Sequence, residues 1–197
     1  AVQHLAGQAL LRAGQLQPAL QRLRGGPQAP ALGQRGTEAG QRWSLNQFER
    51  AWARAEHWAM LALDPRWLAR VGLAPRQLAG WVGLAGPYDF IPIKDKSVQP
   101  VFHHPHVPPE SQPVAHASAK APRTFLGVAN FDAQVNPDTN SGHLAARLEA
   151  QGVPVVFKRY EGVDHLTLIG AFSRPLHRMA PVLDDVAAFV TAIPEAP

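Results

Sequence analysis

The sequence predicts an α/β fold, a parallel sheet with flanking helices, behind a helical or disordered N-terminal segment. Three observations predict it. Residues 79–85 and 124–130 are short apolar runs, as buried strands read, and Val-Pro-Val-Val-Phe-Lys-Arg at 153–159 reads as a further strand. A stretch with helical spacing, 138–151, separates the last two. Val182, Val186, Phe189 and Val190 then mark the buried face of a C-terminal helical region over 174–193, broken near Pro181. Strand–helix–strand–helix order implies parallel pairing with crossover connections.

The first 50 residues have a different character. They hold nine Gln, six Arg, two acids (Glu38 and Glu49), one Val, one Thr, no Ile and no Tyr. Such a composition is poor in the β-branched residues that buried parallel strands need. Leu5, Ala9, Leu10, Ala13, Leu16, Leu20 and Leu23 instead recur at helical intervals, interrupted by Pro18 and ended by Gly25-Gly26-Pro27. Residues 25–41 read as a Gly/Pro/Gln-rich linker. Ser44 and Gln47 form a capping-box pattern that opens a helix running to Leu63, with Phe48, Trp52, Ala55, Ala59 and Leu63 on one face. Asp64-Pro65 ends that helix, and Pro75 starts a short turn.

Between 87 and 123 the chain carries eight prolines and is expected to be irregular, with short helical turns at Val98–His103 and Glu110–His116. The chain divides on this reading into an atypical N-terminal segment, 1–58, and an α/β portion, 59–197.

Composition excludes several classes of function. With 197 residues the chain is long enough to bury a core as one domain. The absence of Cys removes disulfides, thiolate metal sites and a Cys nucleophile. A net charge of +4 made of singly scattered Arg gives no basic patch, so no nucleic-acid partner is expected. No apolar run approaches the roughly 20 residues of a membrane span. The start, Ala-Val-Gln-His, lacks a basic region followed by an apolar core, so a cytoplasmic location is expected. The chain opens on Ala rather than Met, as a processed chain or a fragment would.

Two residues stand out chemically. Asp132 lies just past the C-terminal end of the strand 124–130, at the edge where open α/β sheets bind ligands. A carboxylate there can hold an imidazole in one tautomer; alone, Asp132 reads first as a turn cap, and His165 at the matching place turns the reading to the imidazole. His165 follows the last strand in Glu-Gly-Val-Asp-His, projecting from a glycine turn. Imidazole can take and return a proton near neutrality. The 33 residues between them accommodate one helix and one strand. Asp164 is an alternative acid, although adjacent side chains diverge. Asp89 follows the strand 79–85 and reads as a turn residue or a pocket residue. His103, His104 and His106 invite a metal reading, but Pro105 resists the regular strand spacing that would aid it, so a polar loop is expected and no cofactor or metal.

From these residues the chain resembles the α/β-hydrolase esterases and lipases, in particular the bacterial carboxylesterase and arylformamidase-like branch. The resemblance runs through Ala59-Met60-Leu61-Ala62-Leu63-Asp64-Pro65 and Gly83-Leu84-Ala85-Gly86-Pro87-Tyr88-Asp89-Phe90. It continues in Val135-Asn136-Pro137, Leu144-Ala145-Ala146-Arg147-Leu148, Gly152-Val153-Pro154-Val155 and Gly162-Val163-Asp164-His165, about two thirds of the chain. It implies a partial α/β-hydrolase fold, a small carboxylic ester or amide as substrate, Asp132 as triad acid and His165 as triad base. Family members carry a His-Gly-Gly oxyanion loop and a Gly-His-Ser-Ala-Gly nucleophile turn; neither occurs here. The nucleophile turn falls on Arg50-Ala51-Trp52-Ala53-Arg54, which cannot follow a strained glycine turn and offers no hydroxyl. Ser44 reads as a helix cap, and Ser97, Ser111, Ser118, Ser141 and Ser173 lie outside any such turn.

The expected consequences are negligible esterase activity or, alternatively, a non-catalytic binding protein on a degenerate scaffold. A third reading is a helical module in which 1–63 binds a partner helix. A chain lacking the early strands would leave a parallel edge open near 79–85 and self-associate through it. The Gln/Arg/Ala/Gly/Leu/Pro mix before residue 58 also resembles a wrong reading frame of GC-rich DNA, which resequencing would test.

Overall fold

The computed structural model describes residues 8–11, 58–94, 96, 99–172 and 176–192. Four strands form one sheet in sequence order: β1 (Gln8–Leu11), β2 (Leu78–Leu84), β3 (Thr124–Ala129) and β4 (Val155–Tyr160). β2, β3 and β4 run parallel, with Trp81 opposite Thr124 and Thr124 opposite Val155, and β1 pairs antiparallel with β2. The parallel strands lie within two residues of the apolar runs in the sequence. Every residue of β3 is buried, as befits a strand flanked on both sides and covered on both faces.

Helices cover those faces. On one side lie α1 (58–63), α2 (Pro65–Ala69) and α3 (His143–Ala150), packed through Ala59, Leu63, Leu68, Leu144 and Leu148 onto Trp81 and Leu126. On the other, α4 (His165–Gly170) and α5 (Val182–Thr191) bring Leu168, Val182, Val186 and Phe189 onto Val82, Leu84 and Phe125. Phe125 and Leu126 are neighbours in β3 yet belong to opposite cores, as the two-residue pleat requires.

Asp64 explains why one helix stops and another starts. Its Oδ1 accepts the Arg66 backbone N–H at 3.0 Å, capping α2, and Pro65 occupies the first helical position, where no N–H is needed. Burial pushes this carboxyl up, but the Arg66 side chain, with its Nη2 2.8 Å from Oδ2, and the Arg66 backbone N–H outweigh that and hold it below the ordinary carboxylate range.

Several expectations need correction. The helical spacing over 5–23 includes residues 8–11, which form a strand: the edge of β2 offers backbone partners that local periodicity does not reveal. For the same reason the edge expected to stand open near 79–85 is paired by β1 at Gly80, Trp81 and Val82. On the far side of the sheet lies β4, whose exposed Lys158 and Arg159 guard the edge with charge. Val190 is exposed, because the buried face of α5 runs through Val182, Val186 and Phe189 at intervals of four and three. The Ser44 cap, Phe48, Trp52, Ala55, the 25–41 linker and Arg50–Arg54 lie outside the described residues.

The proline-rich stretch forms short 3-10 turns at Gln99–Phe102, Pro109–Ser111 and Pro113–His116, near the expected positions. Buried Gln112 ties it down by accepting the Phe90 N–H at 2.8 Å, and the Val114 N–H donates to the Tyr88 carbonyl at 3.0 Å. Among the described residues, no helix is long and apolar enough to cross a membrane.

Candidate active site

Asp132 and His165 meet at the C-terminal edge of the parallel sheet. β3 ends at Ala129 and delivers Asp132 three residues later; β4 ends at Tyr160 and delivers His165 after a five-residue step. His165 Nδ1 lies 2.7 Å from Asp132 Oδ2. A carboxylate only accepts, so Nδ1 carries the proton and Nε2 is the accepting nitrogen of that tautomer. The His165 side chain is 13% exposed and that of Asp132 is 1% exposed. The carboxylate is thus shielded from water while the imidazole keeps a route to it.

Asp132 is also the anchor of its own loop. Its Oδ1 accepts the N–H groups of Gln134 at 2.8 Å and Val135 at 2.9 Å. One carboxylate oxygen thus caps the turn while the other faces the imidazole. Burial pushes the Asp132 carboxyl up, but the hydrogen bond from His165, the backbone N–H groups of Val135 and Gln134, and the charge on His165 together hold it below the ordinary carboxylate range. The group is an anion at neutral pH, suited to stabilising an imidazolium beside it.

His165 is placed by a glycine turn and a helix cap. Gly162 has φ +71°, in the left-handed region that a side chain disfavours. Val163 buries itself in the core beneath the turn. Asp164 then caps α4: its Oδ1 accepts from the Thr167 N–H at 2.8 Å and from the Thr167 hydroxyl at 2.6 Å, while its own N–H donates to Thr167 Oγ1 at 2.8 Å. The Thr167 hydroxyl and N–H hold the Asp164 carboxyl low. Asp164 is therefore committed to the cap, and the helix fixes the backbone on which His165 stands as first residue. α4 was not evident in the sequence, although Asp164-x-x-Thr167 is a readable capping pattern.

Other candidates take other roles. Asp89 Oδ2 lies 3.0 Å from His143 Nδ1, at the start of α3. His106 N–H donates to the His103 carbonyl at 2.9 Å inside an exposed loop turn. Among the described residues, no group of three His, Asp or Glu side chains is placed to hold a metal ion. Ser111 Oγ accepts from Gln112 Nε2 at 3.0 Å, and Ser141 is buried in the turn 138–142. Ser44, Ser97 and Ser173 lie outside the described residues.

Two features of the site escaped the sequence reading. Phe131 and Leu166, the chain neighbours of Asp132 and His165, are 79% and 64% exposed. Asn136 and Asn140 follow Asp132 at intervals of four and organise the same loop, a spacing that could have drawn attention to them.

No family model matches this sequence, and no curated protein matches it. Solved structures resemble it distantly. The native esterase Est2 of the planctomycete Thermogutta terrifontis superposes with a TM-score of 0.49 at 17% identity, covering 71% of this chain and 52% of that one. The carboxylesterase Cest-2923 of Lactobacillus plantarum WCFS1 gives 0.43 at 12% identity, covering 57% and 42%. A sugar hydrolase of Lactococcus lactis gives 0.43 at 17%, covering 67% and 58%. The chain spans about half the length of these structures. The likeness is structural and distant in sequence.

Proposed function

We propose that this chain carries the acid–base half of a serine-hydrolase site for a small carboxylic ester or a formamide. The 2.7 Å contact of His165 with Asp132 at the C-terminal sheet edge carries the reading. In this scheme Nε2 of His165 accepts the proton of an attacking serine hydroxyl as the serine oxygen bonds to the carbonyl carbon. The imidazolium, stabilised by Asp132, returns that proton to the departing alcohol or amine oxygen or nitrogen as the carbonyl re-forms. Water then enters through the same proton exchange and releases the acid. No cofactor takes part. The proposal treats 59–197 as the C-terminal part of a hydrolase domain and 1–58 as an atypical segment whose residues 8–11 join the sheet.

The 197 residues contain no G-x-S-x-G turn, so this chain alone is expected to turn over esters negligibly. A fluorophosphonate probe, which labels activated serines, followed by peptide mapping, tests the catalytic reading. Labelling abolished by His165→Ala supports a complete site and names its serine. A folded protein that stays unlabelled, yet hydrolyses p-nitrophenyl acetate no faster than His165→Ala, retains the dyad without the nucleophile.

A second reading, a non-catalytic binding protein, is favoured by the exposed Phe131 and Leu166 beside the dyad. It requires an apolar ligand to protect both side chains while His165→Ala leaves its affinity unchanged.

A further inference from the structure

We infer that Asn140 is a positioning residue for the His165–Asp132 pair, an inference that rests on the function proposed above. Three side chains of the loop, Asp132, Asn136 and Asn140, are spaced by four. Asp132 Oδ1 accepts two backbone N–H groups, from Gln134 and Val135. Asn136 Oδ1 accepts two more, from Asp138 and Thr139, at 2.9 and 3.0 Å. Both pairs are local and shape the loop on itself. Asn140 Oδ1 also accepts two, but from a distant part of the chain: the N–H groups of Tyr88 and Asp89, at 2.9 and 3.0 Å.

That difference gives Asn140 its role. Tyr88 and Asp89 follow β2, and Tyr88 is almost wholly buried against Trp81, with ring centroids 5.5 Å apart and planes at 77°. The corner is a fixed point of the core. Asn140, 6% exposed, fastens the Asp132 loop to it. Its other end is fastened too: the Asn140 N–H and Nδ2 both donate to the Asn136 carbonyl at 3.1 Å. The Gly142 N–H closes the turn onto the Pro137 carbonyl at 2.8 Å, and His143 reaches back to Asp89.

Asp132 thus sits at one end of a hydrogen-bonded run whose far end is clamped to the corner after β2. His165 comes from the other side, off β4. The strand β3 fixes where the loop begins; Asn140 fixes where it returns. An amide is the right group for this position. Its oxygen satisfies the buried Tyr88 donor and the half-buried Asp89 donor together, and it brings no charge toward the Asp89 carboxylate.

The test reads the dyad directly, by NMR, in the full chain. The imidazole Nδ1–H of His165, held by a carboxylate, gives a low-field proton resonance. Asp132→Asn assigns it by abolishing it. In Asn140→Ala the resonance is expected to broaden, with exchange against solvent roughly tenfold faster, the scale set by orphaning buried donors. Asn140→Asp retains an oxygen for Tyr88 and Asp89 and is expected to keep the resonance sharper than Asn140→Ala. Leu144→Ala, which cavitates the adjoining helix, controls for lost stability and is expected to leave the resonance in place. An unchanged resonance in folded Asn140→Ala overturns the inference.

If Asn140→Ala does not fold, hydrogen exchange in the unaltered protein decides. The amides of Tyr88, Asp89, Gln134 and Val135 are expected to open together; separate opening of the two pairs overturns the inference. A resonance indifferent to Asp132→Asn sinks the proposed dyad itself, a result distinct from failure at Asn140 alone.

Discussion

A Cβ placed on Gly86 would overlap the hydroxyl and the ring carbons of Tyr88. One on Gly83 would overlap the same hydroxyl, with its next neighbour, Trp81 Cζ2, at 3.0 Å. The aromatic ring is buried and cannot retreat. Gly83→Ala and Gly86→Ala are both expected to destabilise the protein by about 1–3 kcal/mol through overpacking. The pair separates in a Tyr88→Phe background. Removing the hydroxyl relieves the worst overlap at Gly83, leaving Trp81 Cζ2 and Leu126 Cδ2 at 3.0 and 3.1 Å, but leaves the ring carbons against Gly86. Urea midpoints of the four variants check this: rescue is expected for Gly83→Ala only.

The two tyrosines of the chain, Tyr88 and Tyr160, are both pushed above the ordinary phenol range. For Tyr88 burial is the cause, opposed by a hydrogen bond with the Gly86 backbone. For Tyr160 it is burial first, then its hydrogen bond to Asp185 at 2.8 Å and the charge of that carboxylate. Raised values in the folded state contribute stability below the ordinary phenol pKa of 10.0, lost as pH rises through the folded values. Tyrosinate absorbance is therefore expected to stay flat past pH 10 and to rise only as the protein unfolds. Titration of both rings in a protein with native circular dichroism would contradict this.

The Asp132 carboxyl gives the opposite sign. Its folded value is depressed, so its contribution is fully present above the ordinary value of 3.8 and fades as pH falls through the folded one. Asp132→Asn lacks this term. The stability gap between the two proteins is expected to be constant at neutral pH and to narrow below about pH 4. Denaturation midpoints across that range measure it; a gap that widens on acidification refutes the assignment.

Gly162 and Gly152 offer a matched pair. Their φ values are +71° and +74°, and a Cβ on either would meet nothing within 4 Å. Alanine at each is expected to cost about 1 kcal/mol from backbone strain alone. Gly152 ends α3, whereas Gly162 aims the turn that presents His165. The stability losses should match, while the His165 ring resonances move only in Gly162→Ala. Equal perturbation of His165 by both variants would remove the special status of the Gly162 turn.

Legibility in the sequence followed the range of the interactions. The strands β2 and β3 are continuous apolar runs because parallel strands covered on both faces need such runs, and β4 opens on the apolar Val155-Val156-Phe157 before its charged Lys158 and Arg159, so the C-terminal edge of the three could be located. Asp132 and His165 follow from that edge. β1 was not legible: four residues with helical spacing become a strand by pairing with an edge supplied about seventy residues later. Asn140 was hidden for a related reason. Its partners, Tyr88 and Asp89, lie about fifty residues earlier, and an isolated Asn carries no sign of which backbone it will hold. The capping of α4 by Asp164 is local and could have been read. Val190 fits the helical periodicity yet stays exposed, because that periodicity admits a wider face than the sheet beneath α5 covers.

The sheet divides the apolar interior into two compartments that share β3 but exchange no side chains across it. Leu148 belongs to one and Phe189 to the other. Energetic damage should be confined accordingly. Truncations of Leu148 and Phe189 made together are expected to cost the sum of their separate effects, whereas Leu148 and Leu144, which line the same compartment, should interact. Sequence drift in one wall can thus proceed without compensating change in the other, as long as the central strand is kept.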